Sequence, residues 1–199
     1  MDYFTPFTVP IFYEECNIPS KDSLIKSLSY LVRNDKNKLK QVNNIQRYKF
    51  STDFISTITE KYNNIFYGSL QNSRNSTPIL ITSWYNQYDA GGDIPTHSHK
   101  NSYWSGVYYP YGNEDSPIVF ENPIEQSMII CPEYDEQNNF TYQTFKISCK
   151  KETIIFFPSY LRHYTLPSTS TKHSISFNFF VEGSLSIETK SSFNIKVIG

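Results

Sequence analysis

The stretch Thr153–Val181, TIIFFPSYLRHYTLPSTSTKHSISFNFFV, decides the fold class. It holds three runs rich in β-branched and aromatic residues, Thr153–Phe157, Arg162–Leu166 and Lys172–Val181, separated by Pro, Ser and Thr. Such runs pack well on a pleated surface, and their short spacing predicts antiparallel strands. Working back toward the N-terminus, further runs at Ile79–Tyr88, Trp104–Tyr109, Ile118–Glu121 and Phe140–Ser148 follow the same pattern, and a last one covers Ser184–Val197. Many short strands between turn clusters point to a sandwich or barrel. Before Ser76 the texture differs. Phe7–Tyr13 alternates as an opening strand, and Leu24, Ile25, Leu28 and Leu31 recur at helical spacing behind Ser20, a candidate N-cap. Phe54, Ile55, Ile58 and Tyr62 mark a second helix after Ser51. The Lys- and Asn-rich Asn34–Arg47 between them reads as a solvated connection or a ragged helix. The expected fold is mainly β (α+β): a double-stranded β-helix, or jelly roll, with N-terminal helices packed on it. Residues 1–199 are expected to form a single domain, with a strand and helical layer at 1–75, the jelly-roll core at 76–183 and a C-terminal strand at 184–199.

Composition narrows the partners. Aromatic residues make up 17% of the 199 residues against 7 glycines, which suits a folded, strand-rich chain. The formal net charge is -1, from 18 basic and 19 acidic residues, so nucleic acid is not the expected partner. Cys16, Cys131 and Cys149 form no CxxC pair and are odd in number, which fits idle or buried thiols in a reducing compartment better than a disulfide scaffold. The N-terminus shows no basic region followed by a long apolar run, and no run is long enough to span a bilayer. A soluble, cytoplasmic protein is expected.

The chemistry is carried by histidine. There are four, His97, His99, His163 and His173. On a strand, residues two apart share a face, so His97 and His99 can reach one ion, with His163 arriving from a later strand. Three protein ligands on one side of an octahedral iron leave three positions for a chelating co-substrate and dioxygen. Asp89 and Asp93 lie near the pair, but no spacing requires them.

The flanking residues extend this reading. Thr96-His97-Ser98-His99, Ser105-Gly106-Val107-Tyr108-Tyr109, Ser116-Pro117-Ile118-Val119-Phe120-Glu121-Asn122-Pro123, Ile155-Phe156-Phe157-Pro158-Ser159-Tyr160-Leu161-Arg162-His163 and Ser174-Ile175-Ser176-Phe177-Asn178 stand in this order. Together with Trp84-Tyr85-Asn86 they resemble the iron(II)/2-oxoglutarate oxygenases of the prolyl-hydroxylase-like type found in bacteria and phages. The likeness spans about Ile81 to Phe180. It implies Fe(II) held by His97, His99 and His163, 2-oxoglutarate as co-substrate, and O2-dependent hydroxylation of a C–H bond in a peptide side chain or small molecule, releasing succinate and CO2. It also implies that Lys172, standing where an Arg is common, binds the far carboxylate of 2-oxoglutarate. Ser174 on the same face would assist, with Tyr109 or Tyr108 as a further partner and His173 turned the other way.

The sequence departs from the resemblance in two places. His99 stands where the usual pattern has Asp: as a ligand it leaves the metal's charge uncancelled by any carboxylate, and if it does not bind, the site has two protein ligands and an extra open position. Glu152 occupies the turn before the Ile154–Phe157 run, where Gly is frequent.

Two rivals remain open. A cupin-type metal protein would share Gly92 and the His97-x-His99 pair, although the Glu expected after the pair is replaced by Lys100-Asn101-Ser102-Tyr103-Trp104 and the Pro-x-Gly before the last His is missing. A non-catalytic jelly-roll module would explain His99 but not the retained Lys172 and Ser174.

Overall fold

Two amphipathic helices are laid against one face of a large antiparallel sheet in the computed structural model, which describes residues 8–124, 130, 132–138, 141–186 and 192–198. In chain order the elements are β1 (Phe12–Glu15), α1 (Lys21–Leu31), β2 (Leu39–Asn43), α2 (Thr52–Asn64), β3 (Ser76–Tyr88), β4 (Trp104–Tyr109) and β5 (Ile118–Glu121). They continue with β6 (Thr144–Ile147), β7 (Thr153–Pro158), β8 (His163–Thr165), β9 (Lys172–Ser186) and β10 (Ser192–Ile195). The large sheet runs β1-β7-β4-β9-β3-β2, with β10 paired to β9, and the small sheet runs β6-β5-β8. This is the two-sheet, mainly β architecture expected.

The helices bury the residues that their periodicity selects: Leu24, Ile25 and Leu28 on α1, and Phe54, Ile58 and Tyr62 on α2. At the end of α1 the register favours Val32, four residues beyond Leu28, so Val32 is buried and Leu31 is exposed. Ser20 makes no side-chain cap, although its carbonyl accepts the Leu24 N–H.

Several boundaries differ from the sequence reading for identifiable reasons. The opening strand begins at Phe12, since Pro10 in the same run has no N–H to give a ladder; Phe7 lies outside the described residues. Asn34–Arg47 contains β2, which pairs with β3 from Leu39↔Tyr88 to Asn43↔Trp84. Only Val42 of β2 is buried, so its partner rather than a periodic apolar pattern makes it a strand. The last predicted strand is split: β9 runs on to Ser186 and β10 starts at Ser192, with 187–191 outside the described residues. Phe140 and Cys131 also lie outside them, while Cys16 and Cys149 are buried free thiols.

Alternation along the large sheet sorts its side chains into two layers. Trp104, Tyr108, Ile154, Phe156, Ile175, Phe177 and Phe179 join the helices in one core. Val107, Tyr109, Ile155 and Phe157 face the small sheet and pack with Ile118 and Phe120. Gly106 is required where Phe177 crosses β4: a Cβ there would lie 2.3 Å from Phe177 Cε2 and 2.6 Å from the Ile155 carbonyl.

Glu152 keeps the turn before β7 in the left-handed region, with φ 60°, so the geometry that glycine would serve survives at a steric cost of about 1 kcal/mol. Its side chain pairs with Lys21, and its carbonyl accepts the Cys16 N–H at 2.5 Å. The turn is thereby tied to α1 and to the end of β1.

Candidate metal centre

His97 and His99 sit on an extended segment before β4, not on a regular strand as expected. A single bridge holds it: His97 N–H donates to the His163 carbonyl at 3.0 Å, and His163 N–H returns the bond at 2.9 Å. His99 N–H then bonds the Ser159 carbonyl at 2.9 Å. Asn101, with φ 60°, turns the chain into β4 before a longer ladder can form. The two-residue spacing still places both rings beside His163. One nitrogen from each of the three rings lies within 4.8 Å of the others, and among the described residues this is the one such group of ligand-type side chains.

The hydrogen bonds fix which nitrogen faces inward. His97 Nδ1 is 2.9 Å from the Pro95 carbonyl, and His163 Nδ1 is 2.9 Å from the Leu161 carbonyl. His99 Nδ1 is 2.6 Å from Asn178 Oδ1. Each acceptor is an oxygen, so each Nδ1 carries the proton and each Nε2 presents a lone pair. His97 and His99 bring their Nε2 atoms to 3.3 Å. Two bare lone pairs at that separation repel unless a cation stands between them. Donors ~2.1 Å from one ion at a right angle lie ~3 Å apart, which this spacing fits.

Burial keeps the His99 and His163 rings neutral. Desolvation draws His163 down to about 3, partly opposed by its Leu161 hydrogen bond and reinforced by His97 and His99. Desolvation likewise draws His99 down to about 4, against the Asn178 bond, with His97 adding to the fall. Neutral imidazoles with inward Nε2 atoms are the form that binds a metal.

His99 is held by a closed polar ring. Asn178 Oδ1 also accepts from Ser105 Oγ at 2.8 Å, Ser105 Oγ lies 2.7 Å from Ser159 Oγ, and the Ser159 carbonyl receives the His99 N–H. The Trp84 ring covers His99 at 5.3 Å between centroids. Asn178, Ser105 and Ser159 enter the sequence reading only as members of the runs that carry the resemblance. The available signal was the polar alternation Lys172-x-Ser174-x-Ser176-x-Asn178, opposite the apolar Ile175, Phe177 and Phe179.

The histidines border a narrow cavity whose wall includes Tyr109, Tyr88, Ser174 and Ser176. Tyr109 therefore faces the histidines, while Tyr108 packs toward the helices against Phe54. Lys172 is only 4% exposed; its Nζ donates to Ser116 Oγ at 2.5 Å and to the Ser116 carbonyl at 3.2 Å, and lies 4.5 Å from the centre of the Tyr88 ring. Lys172 itself borders another, open cavity of about 550 Å³, while its neighbours Tyr88 and Ser174 line that of the histidines.

No ion pair involves Lys172 among the described residues. Burial pulls its ammonium down to about 8, against the opposing pull of Asp115 and Asp93. A buried ammonium in this state gains most from an arriving carboxylate.

The remaining candidates go elsewhere. Asp89 pairs with Lys40 at 2.8 Å, and neither it nor Asp93 joins the histidine group. His173 points to the helix side, where its Nδ1 meets Tyr85 Oη at 2.6 Å.

Residues 82–179 match the family model described as "Putative 2OG-Fe(II) oxygenase". The matched segment belongs to the 2OG-Fe(II) oxygenase family. It is an oxidoreductase of a family that uses Fe(II) and 2-oxoglutarate with O2, which sets the cupin and inert-module readings aside. Solved structures share the fold at low identity. HygX from Streptomyces hygroscopicus, crystallised with nickel and 2-oxoglutarate, aligns with TM-score 0.59 and 8% identity over 86% of this chain and 82% of its own. A prolyl-4-hydroxylase from Pseudomonas putida aligns with TM-score 0.58 and 10% identity over 86% and 93%. The epimerase SnoN of nogalamycin biosynthesis gives 0.60 and 7% over 88% and 79%. No curated protein matches in sequence. Among the described residues no helix of this oxygenase is long and apolar enough to cross a membrane.

Proposed function

We propose that His97, His99 and His163 hold the Fe(II) of this oxygenase, and that Lys172, with Ser174 and Tyr109, receives the far carboxylate of 2-oxoglutarate. The reaction is hydroxylation of a C–H bond, in a peptide side chain or a small molecule, with O2 consumed and succinate and CO2 released. The observation that carries the reading is the shared hydrogen-bonding pattern. Each Nδ1 lies within 2.9 Å of an oxygen, the His97 and His99 Nε2 atoms stand 3.3 Å apart, and one nitrogen of each ring lies within 4.8 Å of the others. A remnant histidine replacing a lost carboxylate would have no need of the Asn178–Ser105–Ser159 ring.

Bound iron would supply the redox chemistry that couples decarboxylation of 2-oxoglutarate to substrate oxidation. The protein's own work is to place, orient and exclude water. Three neutral imidazoles leave the metal's charge uncancelled, which favours a dianionic co-substrate, and Lys172 adds a second positive charge at the other end. The apolar wall of Val107, Ile118 and Phe157 keeps water from the space between. Residues 1–199 act as one unit in this reading, since α1 and α2 pack Leu24, Ile25, Leu28, Phe54, Ile58 and Tyr62 into the core behind β9. Free Cys16 and Cys149 suit a reducing cytoplasm.

The test is anaerobic titration of the metal-free protein with Fe(II) and then 2-oxoglutarate, followed by succinate release in air. One iron per chain is expected, with binding lost in His99→Ala. Wild-type iron affinity in His99→Ala would remove His99 from the ligand set.

A further inference from the structure

The three histidines come from two stretches of chain more than sixty residues apart, and something must hold those stretches in register before any metal arrives. The backbone bridge between His97 and His163 provides one tie. A second lies one residue upstream on both stretches. Thr96 Oγ1 donates to Glu121 Oε1 at 3.0 Å, and Arg162 Nε donates to Glu121 Oε2 at 2.8 Å. The Glu121 N–H also donates to the Arg162 carbonyl at 2.9 Å. One carboxylate thus uses each of its oxygens on the residue immediately preceding a histidine.

The placement follows from strand alternation. Phe120 pairs with His163 in the β5–β8 ladder, and its ring lies 5.7 Å from that imidazole, on the inner side. Glu121, Thr96 and Arg162 each neighbour an inward residue and so project to the opposite face of the small sheet. We propose that Glu121 is the positioning residue of the metal centre, clamping the His97 and His163 segments from behind so that their Nε2 atoms converge without the ion. The inference rests on the ligand assignment above and concerns residues that touch neither metal nor co-substrate.

An ordinary surface pair would behave differently. Arg162 is 62% exposed, and an exposed ion pair contributes little to global stability, so its removal should barely move the melting temperature. A clamp should instead change how firmly the two segments are joined. In the metal-free protein, amide hydrogen exchange at His97 and His163 reports the bridge directly. Glu121→Ala is expected to speed both while leaving the β4–β9 amides as in wild type. Its Co(II) affinity should fall about tenfold, the low end for partners outside the ligand set. Glu121→Gln retains an acceptor for Thr96 but offers Arg162 an amide, and should fall between.

Thr96→Val combined with Arg162→Gln should reproduce Glu121→Ala, with little added by the triple variant. Unchanged His97 and His163 exchange together with unchanged Co(II) affinity in Glu121→Ala would overturn the clamp. So would a general rise in exchange across β4 and β9, which would mark Glu121 as a stability residue alone. Failure of the wild type to bind Co(II) would sink the ligand assignment itself; the exchange experiment on the metal-free protein would still judge Glu121.

Discussion

The two faces of β9 are equally buried and chemically opposite. One carries Ile175, Phe177 and Phe179 into the helix-side core; the other carries Lys172, Ser174, Ser176 and Asn178 into the space between the sheets. Burying apolar side chains stabilises a fold directly, whereas burying hydroxyls, an amide and an ammonium costs free energy unless each finds a partner. The helix face is therefore explained by folding alone. The inner face is explained only in part: Asn178 is satisfied by His99 and Ser105, and Asn86 lies within hydrogen-bonding distance of Ser174 and Ser176, but among the described residues Lys172 meets only Ser116 and the face of Tyr88. A strand that holds such a row on one side and a row of rings on the other separates function from stability within ten residues.

That separation can be broken by experiment. The largest effect is expected from His163→Ala, which should abolish iron binding, read by metal analysis of the purified protein, while the melting temperature of the metal-free form stays within a few degrees. Phe177→Ala, on the other face, should cost about 3–5 kcal/mol in denaturant unfolding, because its ring fills the space above Gly106 and packs on Phe54 and Phe156. Iron stoichiometry of the folded fraction should be unchanged; a loss there would show that the faces are not independent.

Lys172→Ala should leave iron in place and weaken 2-oxoglutarate by about ten- to a hundredfold in calorimetry, the range for a charge-assisted hydrogen bond. Equal affinities would remove Lys172 from the site. A pH series sharpens the same point. The free ammonium titrates near 8, and a bound dianion raises that value, so binding takes up a proton at higher pH. The dissociation constant for 2-oxoglutarate should rise only about twofold from pH 7 to 8 and then by up to about tenfold per unit. A flat profile to pH 9.5 would mean that the charge of Lys172 is not used. The smallest effect is expected from Asn178→Leu: about tenfold in metal affinity, with His99 Nδ1 losing its oxygen partner, visible in the nitrogen shifts of the ring.

Much of this was legible in the chain. Strand positions at Trp104–Tyr109, Ile118–Glu121 and Thr153–Phe157 follow from dense β-formers, because strands buried on both faces need almost every residue to be apolar or small. The helices follow from spacing. Strand β2 was hidden, since an edge strand with one buried residue carries no pattern of its own. The candidate ligands could be read because histidine is scarce here, and the choice between Tyr108 and Tyr109 could not, because both are apolar-flanked tyrosines on the same strand.

The sequence by itself determined the fold class, the three histidines and the cation at Lys172, because alternation and rare residue types are local properties. Only the tertiary structure decided how His99 is held, which tyrosine faces the cavity, and that Glu121 joins Thr96 to Arg162. Those depend on the register between segments far apart in the chain, and register is set when sheets close and their interiors pack, not by any residue's neighbours along the chain.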